Sequence, residues 1–374
     1  MLYRPFGKTG DTVSALGMGG MRFAERDDLK KASRMLVHAL ERGITYFDTA
    51  AGYPKSEETY GHATADMKKT GIPFYVATKT FGDTEQAIRA DLERSLSRMK
   101  LDCIDYYHVW CIITFDELER RRREGCFETM LKLKEEGKVR HIVLSTHMPG
   151  TDISRALREH EDVFEGVLLG FNGANFPYRW EGIREAAALN KGVVTMNPLG
   201  GGVIPENPGR FGYLKRDPEE NVVESAIRFN MSHPEITVTL VGMRNERDVD
   251  EAVAAADRFE PLTAQELEGI RRNAGEGIEG LCTSCNYCKE CPEGIPVMKF
   301  MEALNEMALH PDAGYKGPVG RLKYHWGIED IEVLDRCIRC GQCERSCTQQ
   351  LPIMERFAQW KALWEEKQKA EAGS

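Results

Sequence analysis

Short β-rich runs recur along roughly the first 250 residues, with helix-like stretches between them. The runs begin near Ala15, Ile44, Phe74, Cys103, Val139, Gly166, Gly192 and Val238. Each interval can hold one amphipathic helix. In LKKASRMLVHALERG, Leu29, Ala32, Leu36, Ala39 and Leu40 recur at helical spacing, and the pattern closes at Gly43. DLERSLSRM and FETMLKLKEEGKV repeat it, the latter closing on Gly137. Strand–helix–strand units of roughly 30 residues are the βαβ signature. Eight in succession predict an α/β protein with a closed (β/α)8 barrel of the TIM type. An open doubly wound sheet is the alternative, but no G-x-G-x-x-G follows the first run. The rhythm stops near Ala264, which predicts a barrel over 1–265 and a smaller, mainly helical domain over 266–374. In the final segment Phe357, Trp360, Leu363 and Trp364 share one helical stripe, which predicts a packed helix.

Several runs end on polar residues, which a buried core does not require. Asp48 ends ITYFD, Lys79 ends FYVATK, and Ser145 with His147 ends HIVLSTH. Asn172, Asn197 and Arg244 close or follow later runs. In a barrel these ends converge on one rim, where barrel enzymes hold their chemistry.

Lys and Arg number 50 against 59 Asp and Glu, a net charge of −9, which lacks the footprint of a dedicated nucleic-acid binder. No apolar stretch approaches membrane-spanning length, and MLYRPFGKTG does not pattern as a signal peptide, so a cytoplasmic protein without membrane contact is expected. Of eleven cysteines, eight form two tight runs: Cys282, Cys285, Cys288 and Cys291, then Cys337, Cys340, Cys343 and Cys347. Thiols crowded at two-residue gaps read as metal ligands rather than a disulfide framework. Arg120 to Arg123 read as a solvated helix face.

The rim residues sit in segments that resemble the aldo-keto reductase family over about residues 1–265, in the family's order. FDTAAGYPKSEETYG resembles the motif carrying the catalytic Asp and Tyr, here Asp48 and Tyr53, and VATK the segment with the catalytic Lys, here Lys79. YRPFGKTGDTVSALGMGGMR also fits, and GKVRHIVLS, MNPLGGG and GMRNERDVDEAV resemble the segments for the nicotinamide amide, pyrophosphate and adenosine phosphate. The resemblance implies a cofactor-binding set of Gly20, Met21, Asp48, Ser145, Asn172, Asn197, Pro198, Leu199, Gly200, Met243, Arg244, Arg247 and Glu251. It also implies NAD(P)-dependent hydride transfer with a small carbonyl or alcohol substrate. Tyr53 would donate the proton, and Lys79, held by Asp48, would lower its pKa. Arg244 and Arg247 lean the choice toward NADP(H) over NAD(H). The family's fourth catalytic residue is a His, but Trp110 fills that slot in DYYHVWC. His108, on the same inward face, and His147, on the rim, are the candidates for its role, and both can equally be interior histidines.

The second cysteine run has the C-x2-C-x2-C-x3-C spacing of bacterial ferredoxins, with Thr348 in place of the following Pro; the first has a shorter last gap but keeps Pro292. That resemblance implies two 4Fe-4S clusters, one on Cys282, Cys285, Cys288 and Cys347, the other on Cys337, Cys340, Cys343 and Cys291. Two zinc sites, each with four thiolate ligands, are the competing reading. Nicotinamide exchanges two electrons and each cluster one, so something must split the pair; no flavin fingerprint is present, although a barrel phosphate site could hold FMN. Three functions stay open: a reductase exchanging electrons with a ferredoxin-like carrier, a reductase with structural clusters, and a non-catalytic redox sensor or electron-transfer protein.

Overall fold

The computed structural model describes residues 1–24, 28–174, 179–274 and 280–372. They form two compact units, Met1–Leu199 with Gly212–Ile270, and Gly200–Phe211 with Arg271–Ser374.

The first unit opens with an antiparallel hairpin, β1 (Tyr3–Pro5) and β2 (Thr12–Ser14). Eight parallel strands then close a barrel in sequence order: β3 (Leu16–Gly19), β4 (Tyr46–Asp48), β5 (Tyr75–Thr80), β6 (Ile104–Ile112), β7 (Val139–Thr146), β8 (Gly166–Gly170), β9 (Gly192–Met196) and β10 (Val238–Gly242). The fold is therefore the expected (β/α)8 barrel. Helices α1 (Leu29–Glu41), α2 (Ser56–Lys69), α3 (Glu85–Met99), α4 (Phe115–Arg123), α5 (Cys126–Glu135), α6 (Gly150–Glu159) and α7 (Trp180–Ala188) fill the intervals up to β9. The longest interval, between β9 and β10, contains the Gly200–Phe211 excursion, with the single turn α8 (Val203–Glu206), before α9 (Val222–Met231). After β10 come α10 (Glu246–Asp257) and α11 (Ala264–Ala274). Asp28 caps α1 by accepting from the Lys31 N–H, and the chain leaves through Gly43 at φ 94°.

Parallel strands buried on both faces need apolar residues throughout, and the barrel floor supplies them. Tyr46, Ala77, Tyr106, Val143, Leu168, Val194 and Val238 pack around Phe6, which follows β1 and plugs the end. Its ring centroid lies 4.3 Å from that of Tyr106. Gly192 permits the plug, since a Cβ there would stand 2.1 Å from the Phe6 ring. Two residues further along β4, β5, β6 and β7 the inward positions turn polar, with Asp48, Lys79, His108 and Ser145. One expectation changes at α4. Arg121 is buried and ion-paired with Glu117 and Asp83 rather than solvated.

In the second unit, α12 (Val297–Ala303), α13 (Asn305–Leu309), α14 (Lys316–Gly320), α15 (Gln342–Arg345) and α16 (Ile353–Ala372) surround one apolar core. Phe357, Trp360 and Leu363 bury the predicted stripe, with Trp364 partly buried beside it. The Trp360 indole donates to the Phe300 carbonyl at 3.0 Å.

Candidate active site and cysteine cradles

β4 ends on Asp48 and β5 carries Lys79 two residues beyond Ala77, the register partner of Asp48. Both side chains are almost fully buried. Lys79 Nζ donates to Asp48 Oδ1 at 2.6 Å, to Oδ2 at 2.7 Å and to the Thr49 carbonyl at 2.6 Å. Burial pushes the Asp48 carboxyl up and the Lys79 ammonium down, and each partner's charge opposes that shift. Tyr53 stands in the turn before α2, with its N–H donating to the Ala50 carbonyl. The Lys79 ammonium lies 5.3 Å from its ring centroid. The structure thus brings Asp48, Tyr53 and Lys79 together at the barrel mouth.

The expected lowering of the Tyr53 pKa is not what this geometry produces. The phenol is held well above its ordinary value, by burial first and then by Asp48 and Cys111, with Arg22 pulling the other way. Lys79 is committed to Asp48, so the pair presents little net positive charge to the phenol. Tyr53 is therefore a neutral hydrogen-bond donor across the ordinary pH range.

His108 is the register partner of Lys79 and is fully buried; neither ring nitrogen has a hydrogen-bond partner among the described residues. Burial and then Lys79 push its pKa well below the usual value. His147 lies just past β7, also buried, and burial and then Arg179 push it down to about 3. Both imidazoles are neutral near pH 7. Trp110 occupies the mouth instead. The register of β6 shifts between Val109 and Ile112, and such an irregularity re-aims side chains. The Trp110 ring stacks on Phe81 at 3.9 Å and meets Tyr53 edge-on at 5.6 Å. Phe81 is 48% exposed, so the mouth carries an apolar, partly open wall.

The cofactor candidates lie at the carboxyl ends of the strands. Gly20 follows β3 where a Cβ would stand 2.4 Å from Ser56 Oγ, and Met21 is next in the same short turn. Ser145 is buried, and its hydroxyl makes no hydrogen bond among the described residues. Asn172 donates to the Asn197 carbonyl at 3.0 Å and accepts from the Ala174 N–H, which ties the loops after β8 and β9. Asn197 takes φ 57°, and Pro198 and Leu199 follow it to the end of this stretch of the first unit. Gly200 opens the excursion assigned to the second unit. Met243 is buried beyond β10. Arg244 pairs with Asp248 and Arg247 with Glu251 on the exposed start of α10. Arg22, Phe81 and Arg179 escape the sequence reading. Arg22 was visible only as the basic residue after MGG, and Phe81 only as an aromatic residue after a strand. Arg179 carries no motif, yet it is buried and donates to the Gly170 and His147 carbonyls.

In the second unit the cysteines fall into two sets of four. Cys282, Cys285, Cys288 and Cys347 line one cavity, and Cys291, Cys337, Cys340 and Cys343 line another. Asn305 clamps Cys282, accepting from its N–H at 2.8 Å and donating to its carbonyl at 2.9 Å. Burial pushes the Cys288 thiol up to about 12 and that of Cys343 up to about 11. Four cysteines lining each cavity suit a metal cluster, whose positive charge favours the thiolate form.

Residues 15–273 match the aldo/keto reductase family model, and residues 281–352 match that of the 4Fe-4S dicluster domain. L-galactose dehydrogenase of Arabidopsis thaliana is 27% identical over 304 residues, 71% of this chain and 93% of its own length. The uncharacterized Bacillus subtilis oxidoreductase YrpG is 26% identical over 307 residues, 69% of this chain and 91% of its own. Among solved structures, an aldo-keto reductase from Bacillus halodurans superposes with a TM-score of 0.61 at 23% identity, covering 73% of this chain and 96% of its own. That last likeness is one of fold.

Proposed function

The chain belongs to the aldo/keto reductase family and carries a C-terminal 4Fe-4S dicluster domain, and from that premise we propose an NAD(P)-dependent oxidoreductase acting on a small carbonyl or alcohol, with Tyr53 as proton donor and acceptor, coupled to two 4Fe-4S clusters. The observation that carries this reading is the buried Lys79–Asp48 pair beside Tyr53 at the barrel mouth. When bound, a reduced nicotinamide supplies hydride and each cluster exchanges one electron. Ser145 and Asn172 would hold the nicotinamide end, Asn197 would lie toward the pyrophosphate, and Arg244 and Arg247 would favour a 2′-phosphate. The uncommitted Ser145 hydroxyl suits an amide ligand.

The chain's own residues then do three things. Lys79 and Asp48 hold the floor beneath Tyr53. Tyr53 presents its phenolic proton to the substrate oxygen. Trp110 and Phe81 cover the site with apolar surface, excluding water and favouring substrates with a flat or apolar body. His108 and His147 are both held neutral and are not the proton source. Cys282, Cys285, Cys288 and Cys347 would hold one cluster and Cys291, Cys337, Cys340 and Cys343 the other. A Tyr53→Phe substitution should reduce carbonyl-dependent NADPH oxidation about 10²- to 10⁴-fold. Retention of full turnover would remove Tyr53 from this role.

A further inference from the structure

The two cysteine runs are pseudo-equivalent in sequence, but among the described residues side-chain hydroxyls line only one of the two cradles. Cys282-Thr283-Ser284-Cys285 corresponds to Cys337-Ile338-Arg339-Cys340, and Cys347-Thr348 to Cys291-Pro292. The cavity of Cys282, Cys285, Cys288 and Cys347 is lined by three hydroxyl side chains, Thr283, Ser346 and Thr348. The described residues lining the other cavity include none, with Ile338 and Pro292 at the matching positions. Charge does not separate the two in this way: Arg356 acts on Cys282 and Cys347, and Arg339 lines the other cavity.

Thr348 is fully buried, and its Oγ1 lies 3.2 Å from Cys285 Sγ. A cluster-bound Cys285 is a thiolate without a proton, so in that pair the threonine must donate. Gln349 Nε2 donates to Thr348 Oγ1 at 3.3 Å, so the oxygen accepts there, which is compatible with its hydroxyl proton pointing to the sulfur. Thr283 is also buried, and its Oγ1 has no hydrogen-bond partner among the described residues.

Reducing a cluster adds one electron and one negative charge. A hydrogen bond to a ligand sulfur strengthens as that charge grows, so it favours the reduced state and raises the potential. Burial acts the opposite way, and this cradle is the more buried: Cys282 and Cys347 are buried whereas Cys340 is exposed. We propose that Thr348, aided by Thr283, is a positioning residue that raises the reduction potential of the cluster held by Cys282, Cys285, Cys288 and Cys347, offsetting its burial, while the other cluster has no such donor among the described residues. The inference rests on the cluster assignment proposed above.

The test is an anaerobic redox titration of the full-length protein followed by low-temperature electron paramagnetic resonance. Thr348→Val should shift one cluster's reduction equilibrium about tenfold toward the oxidised form, about 59 mV for a one-electron couple, and leave the other midpoint in place. Thr348→Ser should restore the original value, and Thr283→Val should lower the same midpoint. Two wild-type cluster signals with neither midpoint moved by Thr348→Val, or both moved together, would overturn the inference and leave the cluster assignment standing. Absence of iron–sulfur signals in the wild-type protein would overturn both. Should Thr348→Val fail to assemble, Thr283→Val and Thr348→Ser decide: an unshifted midpoint in the former, or a lowered one in the latter, rejects the tuning role.

Discussion

Lys79 and Asp48 hold opposite charges side by side in the barrel interior, where each depends on the other for neutralisation. Lys79→Met should therefore cost about 3–5 kcal/mol in urea denaturation by stranding a buried carboxylate. The double substitution Asp48→Asn with Lys79→Met should regain much of that stability without regaining turnover; if the single variant is as stable as wild type, the pair is not the buried unit described. His147 makes a pH prediction. Its folded pKa, about 3, lies below the unfolded value near 6.5, so the neutral side chain contributes stability that is complete above about pH 6.5 and is lost as pH falls toward 3. The urea midpoint should drop between about pH 6.5 and 4, and less steeply in a His147→Gln variant. Asp48, Tyr53 and Lys79 were legible because their motifs sit in the family's order at strand ends. The phenol's raised pKa was not, because it depends first on its burial and then on the placement of Asp48 and Cys111 beside it, which no spacing encodes. Arg179 stayed hidden for the same reason: its value lies in the two carbonyls it reaches.

The barrel's strands and helices were readable from period alone, since eight apolar runs separated by amphipathic stretches leave few other closed arrangements. Two local features were not. The irregularity in β6 that brings Trp110 against Phe81 involves no glycine or proline, and the Gly200–Phe211 excursion has no hydrophobic period to show which unit it joins. Gly201 shows the physical cause of that assignment: at φ 73° it lies against Thr283, where a Cβ would come 2.4 Å from the carbonyl oxygen. At the barrel floor, Phe6→Ala would empty the plug beneath Tyr46 and Tyr106. It should cost about 3–5 kcal/mol while leaving KM for nicotinamide near the wild-type value. A large KM change would mean that the floor and the mouth are mechanically coupled.

Across the whole molecule, a family reductase barrel and a dicluster domain share one chain, and their cysteines converge as two sets of four. The division into sets was legible from ferredoxin-like spacing; the unequal hydroxyl lining of the two cavities became meaningful only once Thr348 was placed against Cys285. Cys340→Ser should remove about half the iron and one of two paramagnetic signals, whereas loss of none, or zinc in place of iron, would contradict the assignment of ligands. The central claim, that the Tyr53 site and the clusters form one redox device, is tested most directly by anaerobic addition of NADPH to the iron-loaded protein. The expected result is bleaching of the visible cluster absorbance with a reduced-cluster paramagnetic signal. Clusters that stay oxidised while NADPH is consumed by a carbonyl substrate would contradict it.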